Sequence, residues 1–171
     1  GNGFVGSAVF QGFVHYVDDI KIFDKDKNRS KDSLTDCIKQ DLVFVCVPTP
    51  MSLSKNGECD LSIINSVFKE VSSIGSDAIF IIKSTVPIGT TLKLQTKFKK
   101  LKILHSPEFL TARTALLDFI TPARNIVGYP KDFYSKLHAV PNKVVELFEK
   151  RFPGTKTFLV DSDSSEMIKY V

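Results

Sequence analysis

The stretch Gly1-Asn2-Gly3-Phe4-Val5-Gly6 has the residue types and spacing of a phosphate cradle. Glycines in a Gly-x-Gly-x-x-Gly series let the backbone turn tightly and bring the N–H groups of a helix N-terminus against a pyrophosphate. A tight turn without a ligand has the same spacing, so the motif takes its meaning from the residues downstream of it. Asp24 comes at close to the roughly 20 residues at which a dinucleotide fold places the carboxylate that accepts hydrogen bonds from the adenosine ribose. An acid there repels a 2′-phosphate, which favours NAD over NADP. Alternatively, Asp24 only starts the polar turn Asp24-Lys25-Asp26-Lys27-Asn28.

Further loops carry polar or conformationally special residues directly after an apolar run: Val47-Pro48-Thr49-Pro50, Ser84-Thr85-Val86-Pro87 and Ser106-Pro107-Glu108-Phe109-Leu110. Ligands of an open α/β sheet bind outside the carboxyl ends of its strands, and these loops, with the glycine turn and Asp24, would converge on that edge. The cysteines do not join them. Cys46 lies within the apolar run 42–47, Cys37 on a short helix and Cys59 in a loop, with no metal-ligand spacing and no setting that marks a nucleophile. No metal site is expected, and a reducing, cytoplasmic setting is.

Such loops need strands behind them and helices between them. Val5, Val9 and Phe13 recur at helical spacing and predict a helix opened by the glycine turn. Ile20-Lys21-Ile22-Phe23-Asp24 reads as a short strand ending in the acid. Ser33-Leu34-Thr35-Asp36 resembles a capping box, with Asp in place of the usual Glu or Gln. The run 42–47 is continuously apolar, as in a parallel strand covered on both faces, and stops at Pro48. Asp60 caps a helix with Leu61, Ile64, Val67, Phe68, Val71 and Ile74 on one face and Gly75 as its stop. Residues 78–82 form the next buried strand, and Pro87 suits the first turn of another helix. Strands are expected at 101–104, 125–128 and 157–160, and helices at 142–150 and from 162 onward. This alternation defines an α/β, Rossmann-like, three-layer domain with a mostly parallel sheet. An apolar strand normally precedes such a glycine turn, so about six to eight residues are expected ahead of Gly1 in the natural protein, without which the sheet is left with unpaired edges.

Composition agrees with one domain. The 171 residues are 43% hydrophobic and 25% charged, with a net charge of +4, which is enough chain for a real core. The apolar runs are too short to span a bilayer, and no signal peptide is visible. The densest basic cluster, Lys97, Lys99, Lys100 and Lys102, reads as a solvated helix end. Neither nucleic acid nor membrane is an expected partner, whereas a small anionic substrate suits the charge.

Taken together, Gly1-Asn2-Gly3-Phe4-Val5-Gly6, Val47-Pro48-Thr49-Pro50, Ser84-Thr85-Val86-Pro87-Ile88-Gly89-Thr90, Ser106-Pro107-Glu108-Phe109-Leu110 with Asp118-Phe119 and Pro122-Ala123-Arg124, and Glu166-Met167-Ile168-Lys169 resemble the NAD-binding domain of the UDP-glucose/GDP-mannose dehydrogenase family. The resemblance covers nearly the whole chain and keeps the family's order. It implies NAD-dependent oxidation of a nucleotide sugar's primary alcohol to a carboxylate, through an aldehyde and a cysteine-bound thioester. It also implies cofactor contacts from Gly1, Gly3, Phe4, Val5, Gly6, Asp24, Arg29, Val47, Pro48, Thr49, Pro50, Ser84 and Thr85, and substrate contacts from Glu108, Phe109, Leu110, Thr111, Arg113 and Lys169. In that pattern Thr85 holds a water or hydroxyl near the reacting carbon, Glu108 is acid and base in thioester hydrolysis, and Lys169 stabilises the developing oxyanion. The residues by themselves leave plainer roles open, namely a helix N-cap for Thr85, a helix-dipole partner for Glu108 and a solvated lysine for Lys169.

There are departures from the pattern. Ala112 stands where family members commonly carry a second glutamate, which leaves Arg113 to shape the pocket. The segment between Asp24 and Asp41 is shorter than usual, so less protein covers the adenine, with Arg29 as partial compensation. The family's catalytic cysteine belongs to a second domain beyond a long central helix that also mediates dimerisation. Residues 1–161 are therefore expected to be the NAD-binding domain and 162–171 the start of that helix, in a full-length homodimer, with this segment alone inactive. The competing readings are another nicotinamide enzyme, of hydroxyacyl-CoA or 6-phosphogluconate dehydrogenase type, and a non-catalytic NAD-binding module.

Overall fold

The apolar run 79–82 becomes a strand buried on both faces, whereas the run at 42–45 becomes a half-buried strand at the edge of the sheet. The computed structural model describes residues 1–51, 57–137 and 139–170. Its strands are β1 (Leu42–Val45), β2 (Ile79–Ile82), β3 (Lys102–His105), β4 (Asn125–Tyr129) and β5 (Thr157–Asp161), joined in that order into one sheet. Its helices are α1 (Phe4–Phe13), α2 (Leu34–Cys37), α3 (Ser62–Ile74), α4 (Thr90–Lys97), α5 (Ala115–Ile120), α6 (Tyr134–Leu137), α7 (Ala139–Arg151) and α8 (Ser162–Ile168). The first three strands run parallel, β4 meets β3 antiparallel at His105 and Gly128, and β5 runs parallel to β4. The sheet is mostly parallel, as its continuous apolar runs imply.

Alternation along the strands sorts the core into two layers. Val43, Val45, Phe80, Ile82 and Ile103 pack with Ile64, Phe68 and Val71 of α3 and Leu94 of α4. Leu42, Phe44, Ile79, Ile81, Leu104 and Val127 pack on the other face with Val9 and Phe13 of α1, Phe119 of α5 and Phe148 of α7. Phe13 is the hub of that layer, with ring centroids 5.5 Å from Phe44 and 5.9 Å from Phe119.

Several local expectations need correction. Residues 20–24 form no strand and pair with none of the described strands. Their polar groups are taken up nearby instead: the Ile22 carbonyl accepts from Lys31 N at 3.0 Å and Asp32 N at 2.8 Å, Ile22 N donates to Asp32 at 2.7 Å, and Asp24 N donates to Ser30 Oγ at 3.1 Å. Pro87 is not inside a helix. Its carbonyl accepts from Thr90 N and Oγ1, and α4 starts at Thr90 behind Gly89, whose φ of 85° a side chain would strain. Asp60 binds Ser62 N at 2.8 Å, one residue ahead of the N-cap position, and Ile74 is exposed. The capping box at Ser33 and Asp36 forms as read, and α3 stops at Gly75. Of the span 162–171, α8 occupies Ser162–Ile168, and Val171 lies outside the described residues.

Candidate functional site

The glycine turn sits over the end of β1. A Cβ on Gly1 would lie 2.5 Å from the Cys46 carbonyl oxygen, and one on Gly6 would lie 1.9 Å from the Gly1 carbonyl oxygen. Packing therefore demands glycine at both. A Cβ on Gly3 would meet nothing within 4 Å, so the middle glycine leaves open space. Gly3 is the N-cap of α1 and offers no side-chain acceptor. The first-turn amides of Phe4, Val5 and Gly6 consequently lack intrahelical acceptors, and the helix dipole reinforces their pull on an anion.

Asp24 stands beside this turn. Its Oδ2 accepts from Asn2 N at 2.5 Å and its Oδ1 from Asp26 N at 2.9 Å. It thus starts the polar turn and faces the glycines at once. Chiefly the Asn2 bond holds its carboxyl below the usual range, so it is an ionised acceptor, as a ribose diol requires. The Arg29 carbonyl accepts from Asn2 Nδ2 at 3.0 Å, and its guanidinium lies 3.5 Å from Asp26. Open space over unpaired amides, with an ionised acid alongside, fits a dinucleotide.

Side chains cross-link the ends of β1 and β2. Ser84 Oγ donates to Val47 O at 2.6 Å and accepts from Val47 N at 3.1 Å, while Thr49 Oγ1 donates to Thr85 O at 2.6 Å. The loop bearing Pro48 and Pro50 is thereby fastened to the one bearing Ser84 and Thr85. Thr85 is half-buried and is not a helix N-cap.

At the end of β3, Lys169 Nζ donates to Glu108 Oε1 at 2.9 Å and to the Glu108 carbonyl oxygen at 2.5 Å. Glu108 Oε2 accepts from Leu110 N at 2.7 Å. The two side chains are 13% and 20% exposed, glutamate first, so Lys169 is not a solvated lysine and Glu108 is not a helix-dipole partner. Lys169 is the C-cap of α8. It is aimed by Glu166, whose fully buried carboxylate accepts from Gly89 N at 2.6 Å and Thr91 N at 2.7 Å. A second pin is His105 Nδ1, 2.8 Å from Ser165 Oγ.

A cleft of about 270 Å³ opens beside this pair, between the loop after β3 and residues 118–126, and it takes in Phe109 and Leu110. Thr111 and Arg113 are exposed and do not line it; Thr111 N binds Asp118 at 2.9 Å instead. Arg124 supplies the cation here, 4.8 Å above the Phe109 ring. Lys83 also lines the cleft. Sequence reasoning gave neither a role, although a lysine directly after the apolar run 79–82 was a visible signal.

Burial raises the thiols of Cys37, to about 11, and of Cys46 and Cys59, which makes them poor nucleophiles. Among the described residues no acidic, Cys or His cluster could hold a metal ion, and no helix is long and apolar enough to cross a membrane.

Residues 20–150 match the model of the UDP-glucose/GDP-mannose dehydrogenase family, NAD binding domain. The UDP-glucose 6-dehydrogenase of Campylobacter jejuni is 34% identical over 148 residues, which are 84% of this chain and 36% of that protein. The UDP-glucose 6-dehydrogenase of Bacillus subtilis is 31% identical over 139 residues, 76% of this chain and 28% of that protein. The chain spans about a third of the length of these curated relatives. Among solved structures, a ternary complex of GDP-mannose dehydrogenase from Pseudomonas aeruginosa shares the fold, with a TM-score of 0.75 at 19% identity over 99% of this chain and 47% of that one. The match over residues 20–150 decides membership: this chain belongs to the UDP-glucose/GDP-mannose dehydrogenase family and carries its NAD-binding domain.

Proposed function

We propose that the protein to which this chain contributes its NAD-binding domain oxidises the primary alcohol of a nucleotide sugar, UDP-glucose or a relative, to the carboxylate. The observation that carries this reading is the Lys169–Glu108 pair, 2.9 Å apart, at the sheet edge that also holds the glycine turn. NAD bound at that turn would supply the hydride acceptor. The pyrophosphate would sit over Gly3 on the amides of Phe4, Val5 and Gly6, with Asp24 on the ribose and Arg29 nearby. Val47, Pro48, Thr49, Pro50, Ser84 and Thr85 would line the path towards the nicotinamide.

In this reading the chain's own groups handle protons and charge. A lysine ammonium has three donors, and Lys169 spends two on Glu108. The third is left for an oxyanion forming at the sugar carbon. Glu108 would take a proton from the water that attacks the cysteine-bound thioester as the new C–O bond forms, and return it to the thiolate released as the C–S bond breaks. Thr85 orients a water or hydroxyl near that carbon. Phe109 and Leu110 form the wall of the substrate cleft, whereas Thr111 and Arg113 stay outside its lining. Residues 1–161 would be the NAD-binding domain and 162–171 the start of a central helix through which the full-length protein dimerises. The free thiols suit the cytoplasm.

The test is NADH formation by the full-length protein with UDP-glucose, GDP-mannose and UDP-N-acetylmannosamine. The expected result is turnover of at least one of them with two NADH per sugar, falling about 100-fold or more in Glu108→Gln. NAD binding without turnover of any nucleotide sugar overturns the reading in favour of a non-catalytic module.

A further inference from the structure

Lys83 follows the four apolar residues of β2 and is 5% exposed. Burying an ammonium costs several kcal/mol unless its surroundings compensate, and an apolar side chain would fill the same volume without that cost. What an apolar side chain could not do is donate. Lys83 Nζ donates to the Pro107 carbonyl at 3.1 Å and to Ser106 Oγ at 3.3 Å. Both acceptors belong to the turn immediately before Glu108. Lys169 takes the next carbonyl, that of Glu108 itself, from α8.

Consecutive peptide carbonyls are thus gripped by two ammonium groups that come from different elements. Either grip alone would fix one point of the turn; together they fix the direction in which the Glu108 side chain leaves it. The charged and titratable groups facing Lys83 are Cys46 after β1, Glu108 and Lys169, with His105 at the end of β3. Desolvation pushes the Lys83 ammonium down to about 8.

We infer that Lys83 is a positioning residue, which holds the Ser106–Pro107 turn so that Glu108 presents its carboxylate to Lys169 and to the substrate. The inference rests on the function proposed above for Glu108, but its first readout does not depend on that function. Hydrogen exchange of residues 106–112 in the full-length protein should quicken about tenfold or more in Lys83→Met, with α3 unchanged. In steady-state assays kcat should fall about 10- to 100-fold while KM for NAD stays within about twofold, because a misplaced catalytic group costs rate without loosening a remote cofactor. Lys83→Gln, which keeps a donor, should fall between wild type and Lys83→Met in both measurements, and it decides the matter if the methionine variant does not fold. Unchanged exchange in 106–112, or a rise shared equally by α3, overturns the inference. A wild-type protein inactive on every nucleotide sugar would overturn the proposed function and leave the exchange result to judge Lys83.

Discussion

Glu166 Oε1 accepts from both the backbone N–H and the hydroxyl of Thr91, at 2.7 and 2.6 Å, and both side chains are fully buried. The carboxylate caps the N-terminus of α4 from a helix far along the chain, and so fixes where α8 ends and where Lys169 begins. Removing it in Glu166→Ala leaves buried donors unpaired and should cost about 3 kcal/mol, read as a lower Tm. Burial raises the Glu166 pKa. The folded value therefore exceeds the unfolded one, and the associated stability is present at acid pH and lost as pH rises through the folded value. Glu166→Gln should remove that dependence, and thermal melts across pH would show it.

The glycine turn makes a paired prediction. Gly6→Ala drives a methyl into the Gly1 carbonyl, whereas Gly3→Ala places one where no atom lies within 4 Å. The first should cost about 1–3 kcal/mol of stability through overpacking. The second should leave Tm nearly unchanged yet weaken NAD about tenfold or more, because a methyl occupies the approach of the pyrophosphate. Calorimetric titration with NAD alongside a melt separates the two. Equal NAD affinity in Gly3→Ala and wild type would move the cofactor elsewhere.

Asp24 should set cofactor choice. Its ionised carboxylate beside Asn2 can accept from a ribose diol and repel a 2′-phosphate. Asp24→Ala is expected to weaken NAD about tenfold, the loss of roughly one charge-assisted hydrogen bond, and to narrow the gap between NAD and NADP. An unchanged ratio of the two affinities would place the ribose away from Asp24.

Legibility in the sequence followed the range of the forces involved. Residues 79–82 were readable because a continuous apolar run suits burial on both faces, and Ser33–Asp36 because a capping box is complete within four residues; the run 42–47 gave a strand only over Leu42–Val45, half-buried at the sheet's edge. Residues 20–24 have strand-like composition, but a strand also needs a ladder partner, and here Ile22 and Asp24 bond to residues 30–32 instead. Glu166 and Lys83 act on groups brought near only by the fold, namely Thr91 and Pro107. Their types were visible, and their burial was not. The resemblance put Arg113 in the pocket beside Ala112, and among the cations here Arg124, from the far side of α5, stacks on Phe109.

His105 should make stability fall in mild acid. The ring is fully buried, and burial, the main cause, with Lys83 nearby, pushes its pKa from 6.5 down to about 3. The unfolded chain takes up this proton below pH 6.5, while the folded chain refuses it until about 3. Stability is therefore lost as pH falls through that window, by up to about 1.4 kcal/mol per pH unit. Over the interval from about pH 6.5 to 5 ordinary carboxylates stay largely ionised, and Glu166, whose carboxyl burial pushes up, adds a slope of opposite sign that wild type and a His105 variant share. His105→Gln keeps a neutral polar group facing Ser165 and has no proton to gain, so its denaturant midpoint should lack the fall towards acid that wild type shows relative to it over the same interval. A slope equal to that of wild type would show that the acid-labile charge resides elsewhere.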